Sequence, residues 1–152
     1  MEPGNRSWAL VEPVCDVIDI YNGPAAFLES IKNIRRPAAL LYASLFCEQE
    51  VCNGGFNQFF SNSTGVLAPE ALEGFQAVGQ HEVASVLHQA MTAFGSEYLR
   101  ERNARQKMLQ SFTKDHFDEL NRRFFVLIRD EAGGYETAAD NYASKIAIAA
   151  SD

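Results

Sequence analysis

The sequence predicts an all-α fold: a single helical domain, residues 1–152, built as a compact bundle of about eight or nine helices. Three observations carry that expectation. Apolar residues recur at spacings of three and four along almost the whole chain, the period of a helix with one buried face. Alternation of apolar and polar residues, the mark of a half-buried strand, never lasts more than a few positions. Glycine, proline and asparagine fall between the periodic segments, where helices stop and start.

Taken in order, Trp8, Val11, Val14, Cys15 and Ile18 mark the first helical face, with Pro13 tolerated near a first turn. Asn22-Gly23-Pro24 closes that segment, and Pro24 opens a helix carrying Phe27, Leu28 and Ile31. RRPAALLYASLFCEQEV reads as a longer, more buried helix with Ala38, Leu41, Tyr42, Leu45 and Cys52 on one stripe. Another helix is expected from Asn53 to Ser61. APEALEGFQAVG and HEVASVLHQAMTAFG make two helices joined near Gly79-Gln80, the second with Val83, Val86, Leu87, Ala90, Met91 and Phe94 inward. SEYLRERNARQKML carries a basic cluster of Arg100, Arg102, Arg105 and Lys107. Thr113 is placed as the N-cap of KDHFDELNRRFFVLIRDE, with Phe117, Leu120, Phe124, Leu127 and Ile128 facing inward. Asp118 with Arg122 and Glu119 with Arg123 are i,i+4 ion pairs in the favourable orientation. Gly133-Gly134 ends that helix, and a last one sets Tyr135, Ala139, Tyr142 and Ile146 on one side.

Composition narrows the function classes. Hydrophobic residues make up 47% and charged residues 22%, the balance of a water-soluble domain. No apolar run is long enough to span a bilayer, and the N-terminus lacks the basic then apolar pattern of a signal peptide, so a cytoplasmic chain is expected. Cys15, Cys47 and Cys52 are odd in number, lack a CxxC pair and read as buried free thiols rather than zinc ligands. The net charge of −7 opposes direct binding to nucleic acid or to an anionic membrane, because both repel such a surface.

The densest local pattern is EVCNGGFNQFFSNSTG, residues 50–65. It reads as a structural corner. Asn53 serves as an N-cap, Gly54 and Gly55 allow close approach and unusual φ, and Phe56, Phe59 and Phe60 have the spacing of one buried face. Gln58 lies beside that face. Asn62 and Gly65 suit a helix exit, where left-handed geometry is common, and Glu50 is placed to bind free N–H groups at the new N-terminus. The alternative, an anion site on the glycines, lacks both the GxxxxGK[ST] and the GxGxxG pattern, and Glu50 would repel a phosphate.

The same stretch carries a family resemblance. With RRPAALLYASLFCEQ before it and APEALEGFQAVG after it, the pattern NGGFxQFF resembles the signature of the DNA-mimic-protein family. The matching positions are Glu50, Val51, Asn53 to Phe56, Gln58 to Phe60 and Asn62 to Gly65, and VEPVCDVIDIYNGPAAFLES resembles the family's N-terminal helices, so the resemblance runs over roughly residues 8 to 130. It implies an all-helical fold. It further implies an acidic surface that imitates the phosphate array of DNA, carried by a homodimer, and set against the DNA-binding face of a transcription regulator. The signature itself is apolar, glycine and amide, so it transfers a fold and fixes no partner-binding residue.

A mimic needs carboxylates spaced like phosphates, and i,i+3 and i,i+4 helix positions lie ~5–6 Å apart. Three candidate acidic groups have such spacing or proximity: Glu12, Asp16 and Asp19; Glu70 and Glu73; and Asp130, Glu131, Glu136 and Asp140 around the Gly133-Gly134 joint. Each is equally read as a solvated helix face, and Glu70 as an acid near a helix start. The basic cluster at Arg100–Lys107 would interrupt a uniform negative field or pair internally. No catalytic constellation appears: His81 and His88 share a solvent-facing side without a third ligand, His116 stands apart, and Glu48 and Glu50 diverge. No cofactor or metal motif is present. The expected activity is therefore non-enzymatic binding of a protein with a basic surface, such as a DNA-binding regulator. The alternatives are an immunity or adaptor protein that recognises its partner by shape, or an enzyme whose site is assembled from distant residues.

Overall fold

A computed structural model describes residues 5–151, with side-chain burial described to residue 147. The described chain is all-α. Its eight α-helices are α1 (Asn5–Val11), α2 (Pro24–Ile31), α3 (Arg36–Ser61), α4 (Ala68–Ala77), α5 (His81–Met91), α6 (Arg102–Gln110), α7 (Asp118–Asp130) and α8 (Tyr135–Ser151). Short 3-10 turns follow α1, α3, α5 and α7, at Glu12–Val14, Ser63–Leu67, Thr92–Phe94 and Glu131–Gly133.

α3 is the axis of the bundle. It packs against α1, α4, α6 and α7, while α4 leans on α5, α5 on α7, and α1 on α8. The core along it is aromatic. Phe56, Phe59, Phe60, Phe75, Phe117 and Phe124 are all shut away from water, and each contributes on the order of 1.5–3 kcal/mol by leaving water. Most of their rings meet edge-on or tilted, as their quadrupoles favour, among them Phe56 with Phe124 at 5.5 Å and Phe60 with Phe94 at 4.7 Å between centroids, while Phe56 and Phe60 stack at 5.8 Å. No helix of the described residues is long and apolar enough to cross a membrane.

Several boundaries differ from the sequence expectation. α1 stops at Val11, just ahead of Pro13, whose ring and missing N–H cannot serve an α-helix interior. Trp8 is consequently 42% exposed rather than part of a long buried face. α3 is two helices joined across a kink at Gly54 and Gly55, so the expected second helix is present, restarting just past the glycines rather than at Asn53. α7 starts at Asp118, not after Thr113, because the Thr113 hydroxyl is spent on the Asp115 carboxylate at 2.8 Å and caps no helix. On α7 the observed ion pair is Arg122 with Glu119, one turn at i,i+3, and Arg123 instead reaches the Gln89 amide oxygen. Of the cysteines only Cys47 is buried; Cys15 is half-buried and Cys52 exposed.

Candidate functional site

The Gly-Gly break is where the family-like pattern meets the rest of the molecule. Gly54 has φ −145° and ψ 15°, and Gly55 has φ 75° and ψ −178°. The second conformation is closed to residues with a side chain. A Cβ on Gly55 would also stand 2.8 Å from the Asn121 side chain, and one on Gly54 would meet the Gln58 amide at 1.9 Å. The restarted helix is capped by Asn121 of α7, whose Oδ1 accepts from the Phe56 N–H at 2.9 Å. Asn53, the expected cap, faces solvent.

Glu50 binds side chains rather than free backbone N–H groups. Its carboxylate accepts from Gln58 Nε2 at 2.6 Å, Thr64 Oγ1 at 2.9 Å and Asn62 Nδ2 at 3.3 Å. Four polar residues of the pattern thus close on one another across the break. Asn62 is extended (φ −88°, ψ 169°), and Gly65 lies within a 3-10 turn, so neither shows left-handed exit geometry. Gly65 is needed for space: a Cβ there would sit 2.7 Å from Arg105 Nε and 2.8 Å from the Phe59 carbonyl oxygen.

Arg105 explains the crowding. It is wholly buried, and its guanidinium donates from Nε to the Phe60 carbonyl at 2.8 Å and from Nη2 to the Asn62 carbonyl at 3.0 Å. Nη1 serves the carbonyls of Leu99, at 3.2 Å, and of Arg100. Arg102 Nε and Gln106 Nε2 both donate to the Ser61 carbonyl, each at 2.9 Å. The Phe60, Ser61 and Asn62 oxygens lie at the C-terminal end of α3, where intrahelical donors run out and the helix dipole is negative. Arg100 holds Glu70 in a two-point pair at 2.8 Å, donates to the Val66 carbonyl and lies 5.6 Å from the Phe27 ring centre. Arg100 and Arg105 are therefore turned onto the scaffold, while Arg102, though bonded to the Ser61 carbonyl, and Lys107 stay exposed.

The candidate acidic residues separate into two sets. Glu70 is buried against Arg100, and Glu73 is paired with Arg36 at 3.0 Å. Asp19 folds back to accept from the N–H groups of Tyr21 and Asn22 and from the Asn22 amide, which lowers its carboxyl pKa. Glu131 caps α5 through the N–H groups of Glu82 and Val83, at 2.8 and 2.9 Å. Asp140 is buried and accepts from the Ser7 N–H at 2.9 Å. Glu12, Asp16, Asp130 and Glu136 face solvent. Glu12 lies in a 3-10 turn and Asp16 and Asp19 in the irregular segment after it, so the helical spacing supposed for them does not exist. Among residues 5–147, exposed carboxylates and exposed basic groups nearly balance.

A second polar centre was outside the sequence reading. A cleft of about 550 Å³ opens between α3, α7 and the start of α8. Leu45, Phe125 and Ile128 give it apolar lining; Glu48, Cys52, Arg129 and Glu136 give it polar edges. Burial raises the pKa of the Glu48 carboxyl, a hydrogen bond with Cys52 opposes that rise, and the charge of Glu136 adds to it. Partial burial, the Glu48 charge and that same hydrogen bond push the Cys52 thiol up to about 11, with Arg129 opposing. Glu48 and Glu50 do diverge, one to this cleft and one to the corner. What local spacing could not show is that Glu136 and the Gly133-Gly134 joint return to the same place. The i,i+4 step from Glu48 to Cys52 was the available signal. Among the described residues, no three His, Cys, Asp or Glu side chains are grouped as a metal ion requires.

Comparison with curated proteins and with solved structures gives no match. Comparison with protein families gives one: residues 32–145 match the family described as DMP19-like protein. The matched range holds the whole Gly-Gly corner, its Asn121 cap, the Arg105 clamp and the cleft, and leaves out the N-terminal segment before residue 32. The chain belongs to the DMP19-like protein family, the DNA-mimic family.

Proposed function

We propose that this chain is a non-catalytic binding protein whose solvent-facing carboxylates dock on a basic protein surface of the kind a DNA-binding regulator uses for DNA. Membership of the DNA-mimic family is the observation that carries this reading. The inward turn of Arg100 and Arg105 supports it, since those two cations no longer offset acids elsewhere. The display would be local rather than global. It rests on Glu12, Asp16 and Asp130 with neighbouring acids, because Asp19, Glu70, Glu73, Glu131 and Asp140 serve the fold. A bound partner should be released by added salt and by duplex DNA, which competes for the same face. Replacing Glu12, Asp16 and Asp130 with Gln, Asn and Asn should slow association and flatten its salt dependence, while leaving the fold intact. A complex indifferent to both DNA and salt would overturn the reading.

That last outcome would favour recognition by shape. The exposed Trp8, Val17, Tyr21 and Leu28 are the observation on its side, since aromatic and aliphatic side chains on a surface are the usual anchors of such contacts.

A further inference from the structure

The cleft between α3, α7 and α8 is charged in an unfinished way. Two carboxylates, Glu48 and Glu136, share it with one guanidinium, that of Arg129. Arg129 is partly engaged, its Nε donating to the Phe125 carbonyl at 3.1 Å. None of the ion pairs within 4.0 Å among the described residues includes Glu48 or Glu136. Glu48 is half-buried, with the Cys52 thiol as a weak hydrogen-bond partner. A carboxylate withdrawn from water without a cation is costly, and a cation brought to it regains more than at an exposed site.

We infer that the cleft receives one arginine side chain of the basic partner, its guanidinium between Glu48 and Glu136. One monocation brings the local charge to neutrality. The planar fork suits two carboxylates better than a point-like ammonium does. The apolar stem has Leu45 and Phe125, the latter 36% exposed, to lie on. The volume, about 550 Å³, holds such a side chain together with a stretch of its own backbone. This site rests on the reading of the chain as a binder of basic proteins, and gives that reading one address.

The test uses the full chain, labelled with nitrogen-15, titrated with Nα-acetyl-arginine N-methylamide. Its neutral isostere, the citrulline derivative, is the control. Saturable amide shifts centred on Gly133, Gly134 and Thr137, with Cys52 shielded from iodoacetamide, are expected for arginine and absent for citrulline. Glu48→Gln combined with Glu136→Gln should weaken binding by about tenfold or more. Exposed Glu136→Gln alone should weaken it measurably with an unchanged spectrum, which guards against misfolding of the double variant. No saturable response, an equal response to citrulline, or unaltered affinity in the variants overturns the inference. A partner released by salt and DNA together with a silent cleft removes the arginine site and leaves the broader reading. Arginine binding without such a partner leaves the site and removes the partner class.

Discussion

The corner at Gly54-Gly55 and the cleft beside Cys52 lie on the same helix, α3, yet they treat polar groups in opposite ways. At the corner the polar groups that meet across the break are matched. Glu50 has three donors, Phe56 has Asn121, and the last carbonyls of α3 have Arg102, Arg105 and Gln106. In the cleft, Glu48 has a thiol for company and the charges do not cancel. A satisfied network specifies a structure, because removing one member strands the others in a low-dielectric interior. An unsatisfied one is open to a partner. The family-like pattern therefore shapes the scaffold, and recognition is sought outside it.

The sharpest way to break that contrast is at Arg105. Arg105→Met removes the donors of several buried carbonyls at once and should cost about 3–5 kcal/mol, lowering the melting temperature by roughly 10 °C. Arg105→Lys should rescue little, since an ammonium cannot reproduce the fork. A melting temperature within a degree or two of the parent would mean that water can take the guanidinium's place. Gly55→Ala comes next, at about 1–3 kcal/mol, from its left-handed backbone and the collision with Asn121. In an Asn121→Ala background the collision is gone. The cost of Gly55→Ala should then shrink by about 0.5 kcal/mol or more, and strict additivity in a double-mutant cycle would show that the two residues do not press on each other.

The smallest expected effect on stability belongs to the cleft. Glu48→Gln should shift stability by no more than about 1 kcal/mol. Its chemical effect is distinct. The Cys52 thiol stands near 11 partly because of the Glu48 charge and hydrogen bond. Removing that charge lowers the thiol pKa, enlarges the thiolate fraction near pH 8, and should speed alkylation by several-fold, roughly. Arg129→Gln should act in the reverse sense. Equal alkylation rates in all three proteins would separate Cys52 from the cleft's electrostatics.

The sequence made the helices legible because their apolar period is local. Val83, Val86, Leu87, Ala90, Met91 and Phe94 form the expected buried face of α5 and the turn that follows it, and Phe56, Phe59 and Phe60 are buried together. It misled where a distant residue takes over a local task. Asn53 has the chemistry of a cap, but Asn121 does the capping; Thr113 looks like a cap, but Asp115 claims its hydroxyl. Spacing also overstated the acidic ridges. A carboxylate near a helix start looks the same in sequence whether it faces water, as Glu136 does, or an arginine, as Glu70 does. The cleft stayed hidden for the same reason, since its two acids belong to helices brought together only by the fold.

The clamp of Arg105 on the Phe60 and Asn62 carbonyls joins positions more than forty residues apart. During synthesis, α3 emerges long before that arginine does. Until the ribosome has released residue 105, the end of the central helix has only solvent to quiet its carbonyls, and the phenylalanines around it lack part of their cover. The end of the longest helix thus gains its clamp only once one of the shorter helices has been made.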